Sequence, residues 1–146
     1  MKKGIIVEKA LAVTGTVLAL LPLLFTIATS AFGSIAEGKF LFDYLIPMEL
    51  FPLVLAGGAL LVAAAFWARA YRPHIAVGFL IAALCFFGCQ LIAQGSGLAS
   101  GTAARGGFAW YAVLCTVALY AAAEVWLGVF GILLMKKLFQ RRENDG

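Results

Sequence analysis

Glu124 is the residue of this 146-residue chain whose chemistry most needs explaining, because of where it sits. It falls near the middle of a long apolar run, in Ala121-Ala122-Ala123-Glu124-Val125-Trp126. A charged carboxylate facing lipid at that depth costs several kcal/mol, so the side chain is expected to face other helices, to carry a proton, or both. Helical spacing places Tyr120, Ala121, Gly128 and Gly131 on the same face, a small and partly polar seam. Ranked by depth, Glu124 lies slightly cytoplasmic of the midplane, with Thr14 and Thr16 of the first apolar block at a similar or slightly lower level. Gln90 lies roughly 7 Å outward of the midpoint of its own block, within reach only through a tilt or a water. Two roles are open to Glu124: a hydrogen-bonder that joins helices, or a proton carrier or ligand counter-charge. The chain offers no second intramembrane acid or base for a relay, which favours the structural role.

Gln90 and Gln94 are four residues apart and share a helix face. With Asp43 and Glu49 from the preceding loop they could line a polar vestibule at the outer end. The simpler expectation is that the carboxamides pair with backbone or with each other across helices, at about 1 kcal/mol. Cys85, Cys89 and Cys115 all fall inside apolar blocks. One helical turn separates the first two, with near-parallel Cβ vectors that suit no disulfide, and small apolar packing is the expected role of all three. His74 is the single histidine, too few for a zinc or haem site in one chain. Gly95-x-Gly97 follows no strand and implies no nucleotide loop. No cofactor, metal or catalytic set is therefore expected, and the chain leans away from being an enzyme.

The elements that must position these groups are four apolar blocks, approximately 10–32, 46–68, 75–95 and 108–135, followed by a cytoplasmic tail over 136–146. Each is long enough to cross a bilayer, which takes about 20 apolar residues in a helix. Composition agrees: the chain is 64% hydrophobic and 12% charged, with a mean hydropathy of +1.01, whereas soluble domains are about a quarter charged. The expectation is all-α: an integral membrane protein made of one antiparallel bundle of four transmembrane helices, with residues 1–146 as a single domain.

The net charge of +4 follows topology rather than nucleic acid. Lys2, Lys3, Lys9, Arg69, Arg72, Lys136, Lys137, Arg141 and Arg142 fall on one side of a four-pass chain, leaving Lys39 and Arg105 on the other. The positive-inside rule then places both termini and the 69–74 loop in the cytoplasm, in the cell membrane. Anionic lipid headgroups are the natural partner of those cations. A cleaved signal peptide competes for the first block, which carries small residues over 28–31. Glu8 and Lys9 interrupt its cationic start, however, and its apolar run is too long for that reading.

Punctuation along the chain refines the elements. The first helix is expected to start near Lys9, adjust at Pro22 and end near Gly33. Pro47 and Pro52 suit the start of the second, and Pro73 the start of the third. Gly57 and Gly58 give the second helix a face for close approach. The fourth apolar run exceeds the bilayer thickness, which predicts tilt or protrusion, and Arg141–Gly146 is expected to be disordered.

The pattern is similar to that of many small bacterial four-pass membrane proteins, and no motif ties it to a named family. Small multidrug transporters would need an acid in the first span, and lipoprotein signal peptidases two intramembrane aspartates; neither is present. The leading functional expectation is a small non-enzymatic multi-pass protein, a subunit or accessory partner of a larger membrane complex. A proton-linked carrier acting as a homo-oligomer, with Glu124 titrating, is the first alternative. The second is a lipid-acting enzyme working at the outer face through Asp43 or Glu49.

Overall fold

The computed structural model describes residues 2–37, 50–98, 100 and 106–144, and among these the protein is all-α, with no strand. Four helices make it up: α1 Lys2–Glu37, α2 Phe51–Ala68, α3 Arg72–Gly95 and α4 Phe108–Asn144. Each is long and apolar enough to span a membrane. They run up and down in chain order, and each packs on its sequence neighbours while α4 closes back on α1. The result is an antiparallel four-helix bundle.

Local chemistry accounts for the helix starts. Pro52 and Pro73 occupy the first turns of α2 and α3, where a missing N–H leaves no bond unmade. The turn between α2 and α3 is held by two non-glycine residues in left-handed conformation, Arg69 and Tyr71, both at φ 53°. Arg69 caps α2, its N–H donating to the Ala65 carbonyl. Arg72 clamps the same turn: its Nη2 donates to the Phe66 carbonyl at 2.6 Å and its guanidinium lies 5.3 Å from the Phe66 ring centroid.

Helix ends and membrane ends do not coincide. α1 begins well before Lys9 and runs on to Glu37, straight through Pro22. α4 continues through Asn144, where a disordered tail was expected from Arg141, and at 37 residues it is about 55 Å long against a hydrocarbon layer of about 30 Å. The physical reason is that charge ends a membrane span but not a helix. No Gly or Pro falls between Ile132 and Asn144, and cations in a last turn complement the helix dipole.

Most apolar surface of every helix turns outward. The share of each span buried inside the protein runs from 22% in α3 to 39% in α2. Leu24, Phe25, Phe66, Leu80, Leu84, Leu91, Leu119 and Ile132 are all exposed. Such a surface suits lipid and not water. The interior is correspondingly small: Leu61, Ile75, Leu127 and Leu134 are fully buried among Ala12, Ala19, Ala64, Ala65 and Ala82.

Because lipid is as apolar as leucine, close packing rather than water exclusion holds such helices together. The tightest approach is α1 on α2 at Gly15 and Gly57. A Cβ built on Gly57 would sit 2.6 Å from the Ala19 nitrogen and 2.9 Å from the Gly15 carbonyl oxygen, both backbone atoms. Between α3 and α4 the contact is aromatic. His74 stacks 4.8 Å from Phe130, Trp126 lies 4.9 Å from Phe130, and the Trp126 indole N–H donates to the His74 carbonyl at 3.1 Å. Trp126→Phe keeps the ring contact and removes the donor. The expected loss is about 1 kcal/mol, read as a lower thermal midpoint of the detergent-solubilised protein.

Candidate functional site

The α1–α4 seam can be followed residue by residue. Near the cationic end Lys9 Nζ lies 4.5 Å over the Phe139 ring. Further along, Thr16 meets the backbone of Gly131, and Leu20 packs on Gly128. Each step up α1 is matched by a step back along α4. Continuing the register brings Pro22, Leu23 and Thr26 of α1 beside Tyr120, Ala121 and Glu124 of α4, and there the packing opens into a cavity of about 40 Å³.

Glu124 borders this cavity and is only 4% exposed. Tyr120, one turn earlier on the same helix, is the polar side chain that faces the Glu124 carboxyl. The Glu124 carboxyl oxygen Oε1 is buried and has no hydrogen-bond partner among the described residues. Thr26 donates to the Pro22 carbonyl at 2.8 Å, which leaves its hydroxyl oxygen able to accept. The rest of the wall is apolar. Leu50 and Phe51 come from the start of α2, Phe86 from α3 and Val117 from α4. Phe51 and Phe86 stack face to face with centroids 3.3 Å apart, and the Tyr120 ring lies 6.2 Å from Phe86. By helical rise Glu124 stands about 18 Å from Lys136, well inside a hydrocarbon layer of about 30 Å.

The expected partners of Glu124 are distributed differently from their ranking by depth. Tyr120 is the neighbouring polar side chain it faces. Thr16 is 2% exposed, but it lies two turns away against Gly131, and its hydroxyl donates to the Ala12 carbonyl of its own helix at 2.7 Å. Thr14 is exposed on the outside of α1. Gln90 is half-buried on α3 and does not line the cavity, where Phe86, one turn earlier, takes that place. Depth measured from block midpoints misplaced these levels because α1 and α4 both overrun their apolar blocks. The observed register starts from Lys9 and Phe139.

Asp43 and Glu49 lie outside the described residues, and Gln94 is exposed. Cys115 is exposed, on the side of α4 away from the seam, and Cys85 and Cys89 are half-buried along α3. Sequence reasoning missed Thr26, Phe51 and Phe86. For Thr26 a signal existed, since a threonine hydroxyl inside a membrane helix bonds the carbonyl four residues back, here that of Pro22. For the two phenylalanines there was none, because their pairing is a fact of tertiary register.

Chemically, the arrangement can hold water-sized species and a proton. It offers one carboxyl oxygen, two hydroxyls and an aromatic wall, in a space too small for an organic substrate, whose pockets run to about 300 Å³ or more. No protein-family model, curated protein or solved structure matches this chain.

Proposed function

We propose that this chain is a small non-enzymatic membrane protein that works as a subunit or partner within a larger membrane assembly, its cationic end on the cytoplasmic side of the cell membrane. The observation that carries the reading is the outer surface of α3, the helix least buried by its own bundle. On it, a Cβ at Gly88 would meet nothing within 4 Å, and Leu84, Phe87 and Leu91 stand exposed around that notch. A glycine notch ringed by large apolar side chains suits another helix, since small residues allow backbones to approach.

Extraction in a mild detergent, affinity capture and intact mass analysis test the proposal. A stoichiometric second polypeptide is the expected result, and Gly88→Leu, which fills the notch, should reduce its recovery at least tenfold without changing the bundle's own stability. Wild-type protein captured alone, at every detergent concentration that keeps it folded, would remove this reading.

A second reading, the proton-linked carrier, draws support from Glu124. Were this residue structural glue, its carboxyl would be bonded across helices. Tyr120, the polar side chain facing it, is on its own helix, and Oε1 is buried without a hydrogen-bond partner among the described residues.

A further inference from the structure

We infer that the turn between α2 and α3, together with Lys137 of α4, seats the phosphate of one anionic glycerophospholipid. Cations gathered at one end of a bundle attract headgroups diffusely, and attraction of that kind favours none of them over the rest. Here the side chains of three are set apart by how the fold holds them. The inference needs neither the accessory nor the carrier reading.

Arg72 is the first. A long cation at the end of a span ordinarily reaches away from the hydrocarbon into water. This one turns back along α2. Its Nη2 donates to the Phe66 carbonyl at 2.6 Å, and its guanidinium lies 5.3 Å from the Phe66 ring centroid. Phe66 stands about 4.5 Å along α2 from Arg69, on the side of the apolar span. Nε is buried there with no hydrogen-bond partner among the described residues. A guanidinium carries five donors in a planar fork, so this pose spends one on a carbonyl, encloses another and leaves Nη1 for an acceptor. Negative charge at that level offsets what the enclosed donor costs.

Two more cations belong to the same turn. Lys137 Nζ lies 5.4 Å from the ring centroid of Tyr71, the residue before Arg72. That ring is itself set 5.8 Å from Phe130, on which His74 stacks. A packed aromatic group thus brings the ammonium of α4 to the turn. Arg69 is exposed, and its backbone is fixed by its own N–H on the Ala65 carbonyl. Charges already held in place lose little freedom on binding. The positive end of the dipole of α3, a 24-residue helix, adds to the field here.

Charge and depth together decide the occupant. From Leu50 to Ala123 the sequence holds no acidic residue, so neither α2 nor α3 can neutralise the group. The occupant is therefore anionic. Its level is that of Phe66 and Trp67, both more than half exposed at the end of α2, and Val77 of α3 is exposed likewise. Indole rings favour the interface between hydrocarbon and water, which is where lipid phosphates lie. These apolar side chains, on the two helices that meet at the turn, suit the glycerol and first acyl carbons beneath a phosphate. An acidic peptide would have to leave water to reach the guanidinium, whereas a phospholipid already lies at that depth. Phosphate oxygens also match a guanidinium fork better than a single carbonyl does.

Native mass spectrometry of the detergent-solubilised full-length chain, titrated with phosphatidylglycerol or with phosphatidylcholine, tests the seat. The first phosphatidylglycerol should bind at least tenfold more tightly than phosphatidylcholine. Arg69→Gln and Lys137→Gln should each weaken it at least fivefold, and so should Arg72→Lys, which keeps the charge and loses the fork. Lys9→Gln and Lys136→Gln remove the same charge at the same end of the bundle and should cost less than twofold. Equal losses in all the glutamine variants would reduce the effect to diffuse attraction and overturn the inference, as would equal binding of the two lipids. Full displacement of the bound lipid by inorganic phosphate, or by polyglutamate, would hand the seat to a soluble anion and overturn it too. Should the variants misfold, the wild-type chain decides: phosphatidylglycerol should raise its thermal midpoint in mixed micelles and phosphatidylcholine should not. Equal midpoints in the two lipids reject the seat.

Discussion

Glu124→Leu is expected to give a protein at least as stable as wild type, and one in which any proton-linked activity is abolished. Leucine has a similar volume and satisfies the apolar wall made by Leu23, Phe51, Phe86 and Val117. It also removes a buried oxygen that has no hydrogen-bond partner among the described residues. Leaving such a group unsatisfied costs about 1–3 kcal/mol, and that is the order of the expected gain. The Tyr120 hydroxyl then faces an apolar neighbour, so the double variant Glu124→Leu with Tyr120→Phe should be the most stable of the series. Thermal unfolding in detergent, followed by loss of monodisperse protein, measures both. A Glu124→Leu variant that unfolds well below wild type would show the carboxyl to be structural glue. Natural proteins keep destabilising polar groups where function needs them, so a stabilising Leu together with lost activity would mark the site as functional.

Gly57→Ala should be the most damaging single-methyl change in the chain. The added Cβ meets the Ala19 nitrogen and the Gly15 carbonyl oxygen of α1 at under 3 Å, and backbone, unlike a side-chain tip, cannot swing away. The two helices must separate along their whole contact. Overpacking of this kind costs about 1–3 kcal/mol, occasionally more. Helix propensity runs the other way and favours Ala over Gly by about 1 kcal/mol, so Gly88→Ala, where the new methyl meets open space, is expected to be neutral or mildly stabilising. The pair makes a controlled comparison by midpoint temperature. Equal behaviour of the two variants would show that the Gly15–Gly57 approach does not limit stability.

Four spans were legible because apolar length is a one-dimensional property, and the starts of α2 and α3 because Pro52 and Pro73 mark them locally. The small face of α2 was also legible, although which glycine meets backbone was not. Gly57 touches α1 and Gly58 meets Phe79 of α3, two neighbours on opposite flanks of one helix. Less accessible were the outer ends of α1 and α4. Charge at Glu8, Lys9 and Arg141 marks where the bilayer stops, while the hydrogen-bond ladder carries on to Glu37 and Asn144. Register between helices was the larger gap. Block midpoints put Thr14 and Thr16 level with Glu124, whereas contacts put Thr16 at Gly131 and bring Pro22 and Thr26 to the carboxyl. Nothing in a hydropathy pattern states how far one helix slides along another. The cavity depends wholly on that slide, so Glu124 was found from the sequence and its surroundings were not.

Chain order also gives the bundle a timetable. Domains made by the ribosome fold as their parts appear, and the α1–α2 hairpin, locked at Gly15 and Gly57, can form as soon as its second arm has left the exit tunnel. The groove on α1 that holds Thr16, Leu20 and Pro22 belongs to α4, the last helix to be synthesised. Until α4 arrives, that groove faces lipid or whatever membrane factor attends the nascent chain. Glu124 enters the bilayer on this last helix and is covered only when α4 docks on the others, so its burial is postponed to the closing step of assembly, and a chain interrupted before α4 keeps an open flank where the finished protein has a seam.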